Sequence, residues 1–171
     1  GARFDEKRLL WINGHFIREL SIDELAIRVE SFWSESAKKA TETYRKQVLA
    51  LAQDRLKTLK DLPTLTSYFF EEPTPDSTLI TSNKQLKKLS PEEISNLLKI
   101  TKDTFENLDD WSSDSIQALL NDLLERTGQK PGVLFSLIRI VTTWAPFSPQ
   151  LNDTLALIGK ETTLTRLQNT L

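Results

Sequence analysis

Between positions 116 and 124 the apolar residues Ile116, Leu119, Leu120, Leu123 and Leu124 fall at i, i+3, i+4, i+7 and i+8. That spacing lays all five along one side of an α-helix and gives a strand no consistent inner face. The same period returns in Leu25, Val29 and Phe32, in Ile94, Leu97, Leu98, Phe105 and Leu108, and in Val133, Leu137, Ile138 and Val141. Start signals precede these runs. Ser21-Ile22-Asp23-Glu24 reads as a capping box, in which hydroxyl and carboxylate each take an orphan amide. Ser90-Pro91-Glu92-Glu93 offers an N-cap, a proline at the first helical position and acids near the positive helix end. Stop signals follow at Thr127-Gly128 and at Gly159, the latter closing a short helix over Leu155 and Leu157. Lys130-Pro131 opens a helix, and a last one carries Leu164 and Leu167. No stretch alternates with a period of two between hairpin-turn residues. The expected fold is all-α: seven to nine helices in two packed helical subdomains, forming a helical bundle.

The 171 residues suffice for one ordinary domain or two small ones, and 39% hydrophobic content supplies a core. In Glu71-Glu72-Pro73-Thr74-Pro75-Asp76-Ser77, two prolines within three residues disfavour helix on both sides. The expected subdomains are therefore 1–72 and 77–171. Charge is uneven along the chain. Residues 36–60 carry Lys38, Lys39, Arg45, Lys46, Arg55, Lys57 and Lys60 against Glu42 and Asp54, and read as a basic long helix. Residues 90–127 are strongly acidic, and residues 128–171 mildly basic. A whole-chain formal charge of −2 conceals this asymmetry, which permits contact with a polyanion along one face.

The residue inventory excludes several kinds of chemistry. There is no Cys and one His, so disulfides, thiolate nucleophiles and multi-His or Cys-ligated metal sites have no ligands. No apolar run reaches the ~18 residues that a membrane-spanning helix needs; residues 133–141, the best candidate, include Arg139. The first six residues are polar and mixed, unlike a signal peptide. A chain that opens Gly1-Ala2 and contains no Met is expected to be an excised fragment, with any parental active site upstream. His15 stands in Asn13-Gly14-His15-Phe16, a turn-like context, with Glu19 as its nearest acid; a general base needs an orienting partner and a pocket. No Gly-flanked serine resembles a nucleophile elbow. Glu71-Glu72, Glu92-Glu93 and Asp109-Asp110 read as capping or linker acids, and five scattered glycines form no phosphate loop.

Two segments are more specific. From Phe4 to Leu20, in Phe4-Asp5-Glu6-Lys7-Arg8-Leu9-Leu10-Trp11-Ile12-Asn13-Gly14-His15-Phe16-Ile17-Arg18-Glu19-Leu20, basic and aromatic residues interleave. From 132 to 151, Arg139 lies on an otherwise apolar helix followed by Pro146-Phe147-Ser148-Pro149-Gln150-Leu151. An arginine on a firm helix beside exposed Pro, Phe and Leu can hydrogen-bond and sandwich an unstacked base.

These segments, in order, resemble the C-terminal part of the bacterial-type glutamyl-tRNA synthetases. The opening is similar to that family's Phe-Asp, then Trp-x-Asn-Gly-x-Tyr-Ile-Arg-Glu, with Phe16 in place of Tyr. Arg55-Leu56-Lys57-Thr58-Leu59-Lys60-Asp61-Leu62-Pro63, Tyr68-Phe69-Phe70-Glu71-Glu72-Pro73, Leu137-Ile138-Arg139 and Leu155-Ala156-Leu157-Ile158-Gly159-Lys160-Glu161 also match. The resemblance implies an all-α anticodon-binding region whose partner is glutamate tRNA, through the anticodon stem-loop, with no DNA and no membrane. It implies a cytoplasmic, monomeric parent that attaches glutamate to tRNA with ATP and magnesium in a catalytic domain upstream. No cofactor is expected in this fragment.

Arg55 falls where family members that charge only glutamate tRNA carry an arginine reading the third anticodon base, a cytosine. A guanidinium donates hydrogen bonds, which suits the acceptors O2 and N3 of cytosine. Arg139 matches the position near the first base. Ser148, Pro149 and Leu151 match the loop around the first and second bases, and Arg8 and Trp11 match residues facing the inner side of the tRNA. Trp144-Ala145-Pro146-Phe147 departs from the family, which more often has small residues with Gly there. The competing expectation is a helical protein-interaction module that docks through the acidic helices of 90–127.

Overall fold

A computed structural model describes residues 5–171; Phe4, the first residue of the opening motif, lies outside them. The chain divides into two compact units, Gly1–Glu72 and Pro73–Leu171. All regular structure among the described residues is helical.

In the first unit, α1 (Glu6–Glu19) is followed by α2 (Ile22–Val29), the single turn α3 (Glu35–Lys38), α4 (Glu42–Ala52) and the short α5 (Leu62–Thr66). Short 3₁₀ turns cover Glu30–Phe32, Gln53–Arg55, Leu59–Asp61 and Ser67–Phe69. Helix α2 packs on α4, α4 on α5, and α1 on the 53–55 turn. Their common interior is Leu25, Val29, Ala37, Val48, Leu49, Leu56 and Leu62, all without exposed surface. The Ser21–Glu24 capping box forms in both directions, each bond 3.2 Å.

Two expectations fail here. Asn13-Gly14 is no turn: α1 runs straight through it. Gly14 is buried because the Leu56–Lys57 backbone crosses it; a Cβ there would stand 3.4 Å from the Leu56 carbonyl oxygen and 3.7 Å from Lys57 Cα. Asn13 spends its side-chain amide on the Lys57 carbonyl. Tertiary contact thus overrides local turn preference. Nor is the basic stretch one long helix. Ser34 and Thr41 each cap a new helix start, and Arg45 turns back to donate to the Ala37, Lys38 and Ala40 carbonyls that end α3.

The second unit holds α6 (Thr78–Thr81), α7 (Pro91–Glu106), α8 (Ser113–Thr127), α9 (Pro131–Thr143), α10 (Leu151–Ile158) and α11 (Lys160–Thr170). One cluster, including Leu98, Phe105, Ile116, Leu120, Leu123, Leu134, Leu137, Ile138, Val141, Leu155 and Leu167, forms its core. Each is a residue whose truncation to alanine removes roughly 2–5 kcal/mol from a leucine-rich core. Leu108, expected on the α7 stripe, lies beyond the helix end and packs at the edge of this cluster. Gly128 takes the left-handed cap of α8 at φ 68°. Lys160 donates to the Glu106 and Leu108 carbonyls, 3.0 and 2.7 Å away, and so closes the end of α7. Arg166, 4% exposed, does the same for α9 through the Thr142 carbonyl at 2.7 Å.

Candidate nucleic-acid interface

Arg55 ends the 53–55 turn, exposed, and makes no hydrogen bond or ion pair with any other described residue. The turn beneath it is firmly held. Gln53 Nε2 donates to the Ile17 and Leu20 carbonyls at 3.0 and 2.9 Å, stitching the turn to the carbonyl end of α1. Asp61 Oδ2 accepts from the Lys57 and Thr58 amides at 3.1 and 2.9 Å. Leu56, next in sequence, is fully buried. An exposed cation therefore stands on an anchored backbone, an arrangement suited to meeting an external acceptor.

Its basic neighbours differ. Lys46 lies 3.2 Å from Asp23 and 3.4 Å from Glu42. Hydrogen bonding to Asp23, then to Glu42, raises its ammonium above the ordinary lysine value of 10.5. Lys38 pairs with Glu35 at 3.2 Å. Part of the positive charge legible in 36–60 is thus already answered inside the unit.

On α1, Arg8 and Trp11 lie one turn apart, in the turns before the buried Gly14 and Ile17. The Arg8 side chain is exposed, and Trp11 is 65% exposed. Trp11 is therefore not core; its ring lies flat against His15, centroids 5.8 Å apart and planes 8° apart. His15 Nε2 is 3.6 Å from Glu19, both side chains mostly in solvent. That pair has no pocket and no third group, so it lacks the machinery of a general base.

In the second unit Arg139 projects half-buried from α9, and its Nε donates to Ser148 Oγ at 2.8 Å. Ser148, 4% exposed, passes its own proton to the Pro149 carbonyl at 2.9 Å. Thr154 Oγ1 reaches that carbonyl too, at 3.3 Å. The guanidinium plane is thereby set by a loop hydroxyl that is itself fixed. Pro149 is buried and Leu151, 4% exposed, belongs to the core cluster. These two shape and anchor the loop from inside. The structure thus brings Arg139, Ser148, Pro149 and Leu151 together in one unit; Arg8, Trp11 and Arg55 belong to the other, Arg8 and Trp11 on the N-terminal half of α1 and Arg55 on the turn tied to its C-terminal end.

The departure at Trp144 has a backbone consequence. Trp144 caps α9 at φ 46°, ψ 37°, the one non-glycine residue among those described in the left-handed region. An L-residue there costs about 1–2 kcal/mol. Its amide donates to the Ile140 carbonyl at 2.6 Å, and its ring packs at the edge of the core, which offset the strain. Sequence reading passed over Asn13 and Gln53, whose amides anchor the Arg55 turn; their long-range partners left no local signal.

Nothing among the described residues fits magnesium-ATP. No group of three His, Asp or Glu residues is placed to hold a metal ion, and the glycines form no phosphate-binding loop. No helix among them is long and apolar enough to cross a membrane.

A model of the family described as "Anticodon binding domain" matches residues 24–171. The chain belongs to the anticodon binding domain family. α1, with Arg8 and Trp11, precedes the matched residues, whereas Arg55, Arg139 and the 144–149 loop lie within them. This anticodon binding domain is 35% identical over its whole length to 36% of a glutamate–tRNA ligase of Thermus thermophilus. Over 97% of the chain it is 30% identical to 34% of the corresponding ligase of Chloroflexus aurantiacus. It spans about a third of the length of these relatives. Among solved structures, a glutamate tRNA ligase of Elizabethkingia meningosepticum, in complex with its amino acid, shares its fold. The TM-score is 0.80 at 21% identity, over 99% of this chain and 33% of that one.

Proposed function

We propose that this chain is the C-terminal, anticodon-reading third of a glutamate–tRNA ligase, and that its partner is glutamate tRNA. The parent attaches glutamate to that tRNA using ATP and magnesium in a portion this chain does not include; it is cytoplasmic and monomeric. The observation that carries the reading is Arg55: an exposed guanidinium without a partner among the described residues, on a turn pinned by Gln53, Asp61 and Leu56, inside a family matched as anticodon-binding. Such a group is placed to donate to the acceptor edge of the third anticodon base. Arg139, its plane set by Ser148, donates toward the first base. Pro149 and Leu151 hold the loop from the interior, and Arg8 and Trp11 meet the inner side of the tRNA.

The test is binding of a glutamate-tRNA anticodon stem-loop and its third-base mutants to the chain and to Arg55→Ala. Arg55→Ala should weaken cognate binding by about 1–3 kcal/mol and erase the third-base preference. Its stability should stay within about 0.5 kcal/mol of the parent, since the side chain holds nothing in place. Each phosphate contact should add about −0.7 to the log–log salt slope. A chain that binds unrelated RNA equally well, or an Arg55→Ala variant with intact third-base preference, refutes the reading.

A further inference from the structure

Between α6 and α7 the chain makes a compact turn that carries Lys84, Lys87 and Lys88. The turn is held from inside. Leu86 is fully buried in the core of the second unit. Asn83 Oδ1 accepts from the Gln85 and Leu86 amides at 2.9 and 3.1 Å, and the Asn83 carbonyl accepts from the Lys87 amide at 2.9 Å. The three lysines are exposed, and none makes a side-chain hydrogen bond or ion pair with any described residue. The turn lies against α9. Gln85 covers Gly132: a Cβ there would stand 2.8 Å from both Cδ and Nε2 of Gln85, closer than real Cβ contacts come. Lys130, two residues before Gly132, is exposed and likewise unpaired among the described residues. Gly132 and Arg139 are seven residues apart, about 20° short of two full helical turns, so they share one face of α9 about 10 Å apart along its axis. The segments that carry these five cations, 77–90 and 127–152, contain no Asp or Glu. Elsewhere in the unit lysines are answered: Lys102 by Glu106, and Lys160 by the carbonyls at the end of α7.

A polyanion answers such charges. The buried centres of protein interfaces are poor in lysine and rich in aromatic anchors, and no large apolar side chain in 77–90 or 127–139 is exposed. Phosphates need only point charges on flexible stems, which lysine supplies. We propose that Lys84, Lys87, Lys88 and Lys130 grip backbone phosphates of the anticodon stem-loop. At a rise of roughly 3.4 Å per nucleotide, those phosphates lie about three nucleotides along the strand from the base that Arg139 meets. This rests on the anticodon reading proposed above. Phosphates are alike under every base, so the patch fixes where the strand lies and adds affinity, and it leaves base identity to the arginines.

The experiment titrates the chain with the glutamate-tRNA anticodon stem-loop, and with its first- and third-base mutants, across a salt series. At about −0.7 per contact, each phosphate held contributes about fivefold in affinity at 0.1 M salt relative to 1 M. Changing all four lysines together (Lys84→Gln, Lys87→Gln, Lys88→Gln and Lys130→Gln) removes two to four contacts. It should shallow the log–log slope by about 1.4–2.8 and weaken binding at 0.1 M salt roughly 20- to 600-fold, with both base preferences kept. The same four changes to arginine should keep the parent's slope. Lys99→Gln, at an exposed and unpaired lysine on α7, should alter binding by less than about twofold. Circular dichroism and urea midpoints equal to the parent's exclude misfolding as the cause. The proposal is overturned if the glutamine variant keeps the parent's slope and affinity, as it would were the lysines meant for an acidic protein or a lipid surface. It is also overturned if base preference falls along with affinity, or if Lys99→Gln costs as much as a single change in the patch. A parent chain without preference for the glutamate anticodon would instead defeat the underlying reading, and the salt slopes would still tell whether these lysines hold phosphate.

Discussion

Replacing Ser148 with alanine should separate the orientation of Arg139 from its presence. In the structure one hydroxyl, 4% exposed, accepts from Arg139 Nε at 2.8 Å and donates to the Pro149 carbonyl at 2.9 Å. A hydrogen bond to a charged group contributes about 1.5–3 kcal/mol. Two features discount that figure. Arg139 is half-buried, so water can replace part of what its Nε loses, and Thr154 Oγ1, which donates to the Gln150 carbonyl at 2.9 Å, lies 3.3 Å from the Pro149 carbonyl and can turn its proton there. The expected loss of stability is about 1–2 kcal/mol, which at a urea slope of about 2 kcal/mol per molar moves the midpoint down by roughly 0.5–1 M with no change of slope. Binding should change in character: the guanidinium remains but loses the hydroxyl that helps set its plane, so discrimination at the first anticodon base falls while the third-base preference proposed for Arg55 stays. Titration of stem-loops varied at each of the two positions reads this directly, and Ser148→Thr, which keeps the hydroxyl, should restore first-base discrimination. If Ser148→Ala keeps both its urea midpoint and its first-base preference, the Arg139–Ser148 bond orients nothing.

Two further substitutions test the backbone arguments. Trp144→Gly should be more stable than Trp144→Ala by about 1 kcal/mol, the reverse of the order inside a helix, because only glycine escapes the strain of φ 46°; a paired urea series measures it, and the opposite order refutes the left-handed cap. Gly14→Ala makes ordinary contacts with Arg18 and Leu56 and should be neutral or stabilising by up to about 1 kcal/mol, whereas Gly14→Val should cost about 1–3 kcal/mol by pressing on the Leu56–Lys57 backbone. Thermal unfolding of the two variants checks both signs.

What the sequence disclosed depended on how local the cause was. Caps were legible because their partners lie three residues away: Ser21 with Glu24, Ser90 with Glu93, Gly128 after α8. Stripes such as Ile116, Leu120 and Leu123 were legible because one helix period decides them. Asn13-Gly14 was misread as a turn because its real partner, the Lys57 carbonyl, is 44 residues away. The break at Ser34 and Thr41 carries ordinary N-cap residues, but a serine or threonine within a run of lysines and arginines marks a helix start only when its neighbours fold back on it, as Arg45 does. At the site, residue types were readable and their surroundings were not. Nothing in Ser148-Pro149-Gln150-Leu151 tells which side chains turn inward, and a tryptophan gives no hint of a left-handed backbone.

The last helix reaches the loop between α9 and α10 from a distance. Arg166 closes its clasp on the carbonyl end of α9, and the next residue but one is the Trp144 turn from which the loop departs. A lesion that clips α11 would remove that clasp, uncap Thr142 and slacken the loop without altering one residue of the proposed interface. If the loop reads a base as proposed, the damage would register as blurred decoding of a single nucleotide before the rest of the bundle came apart.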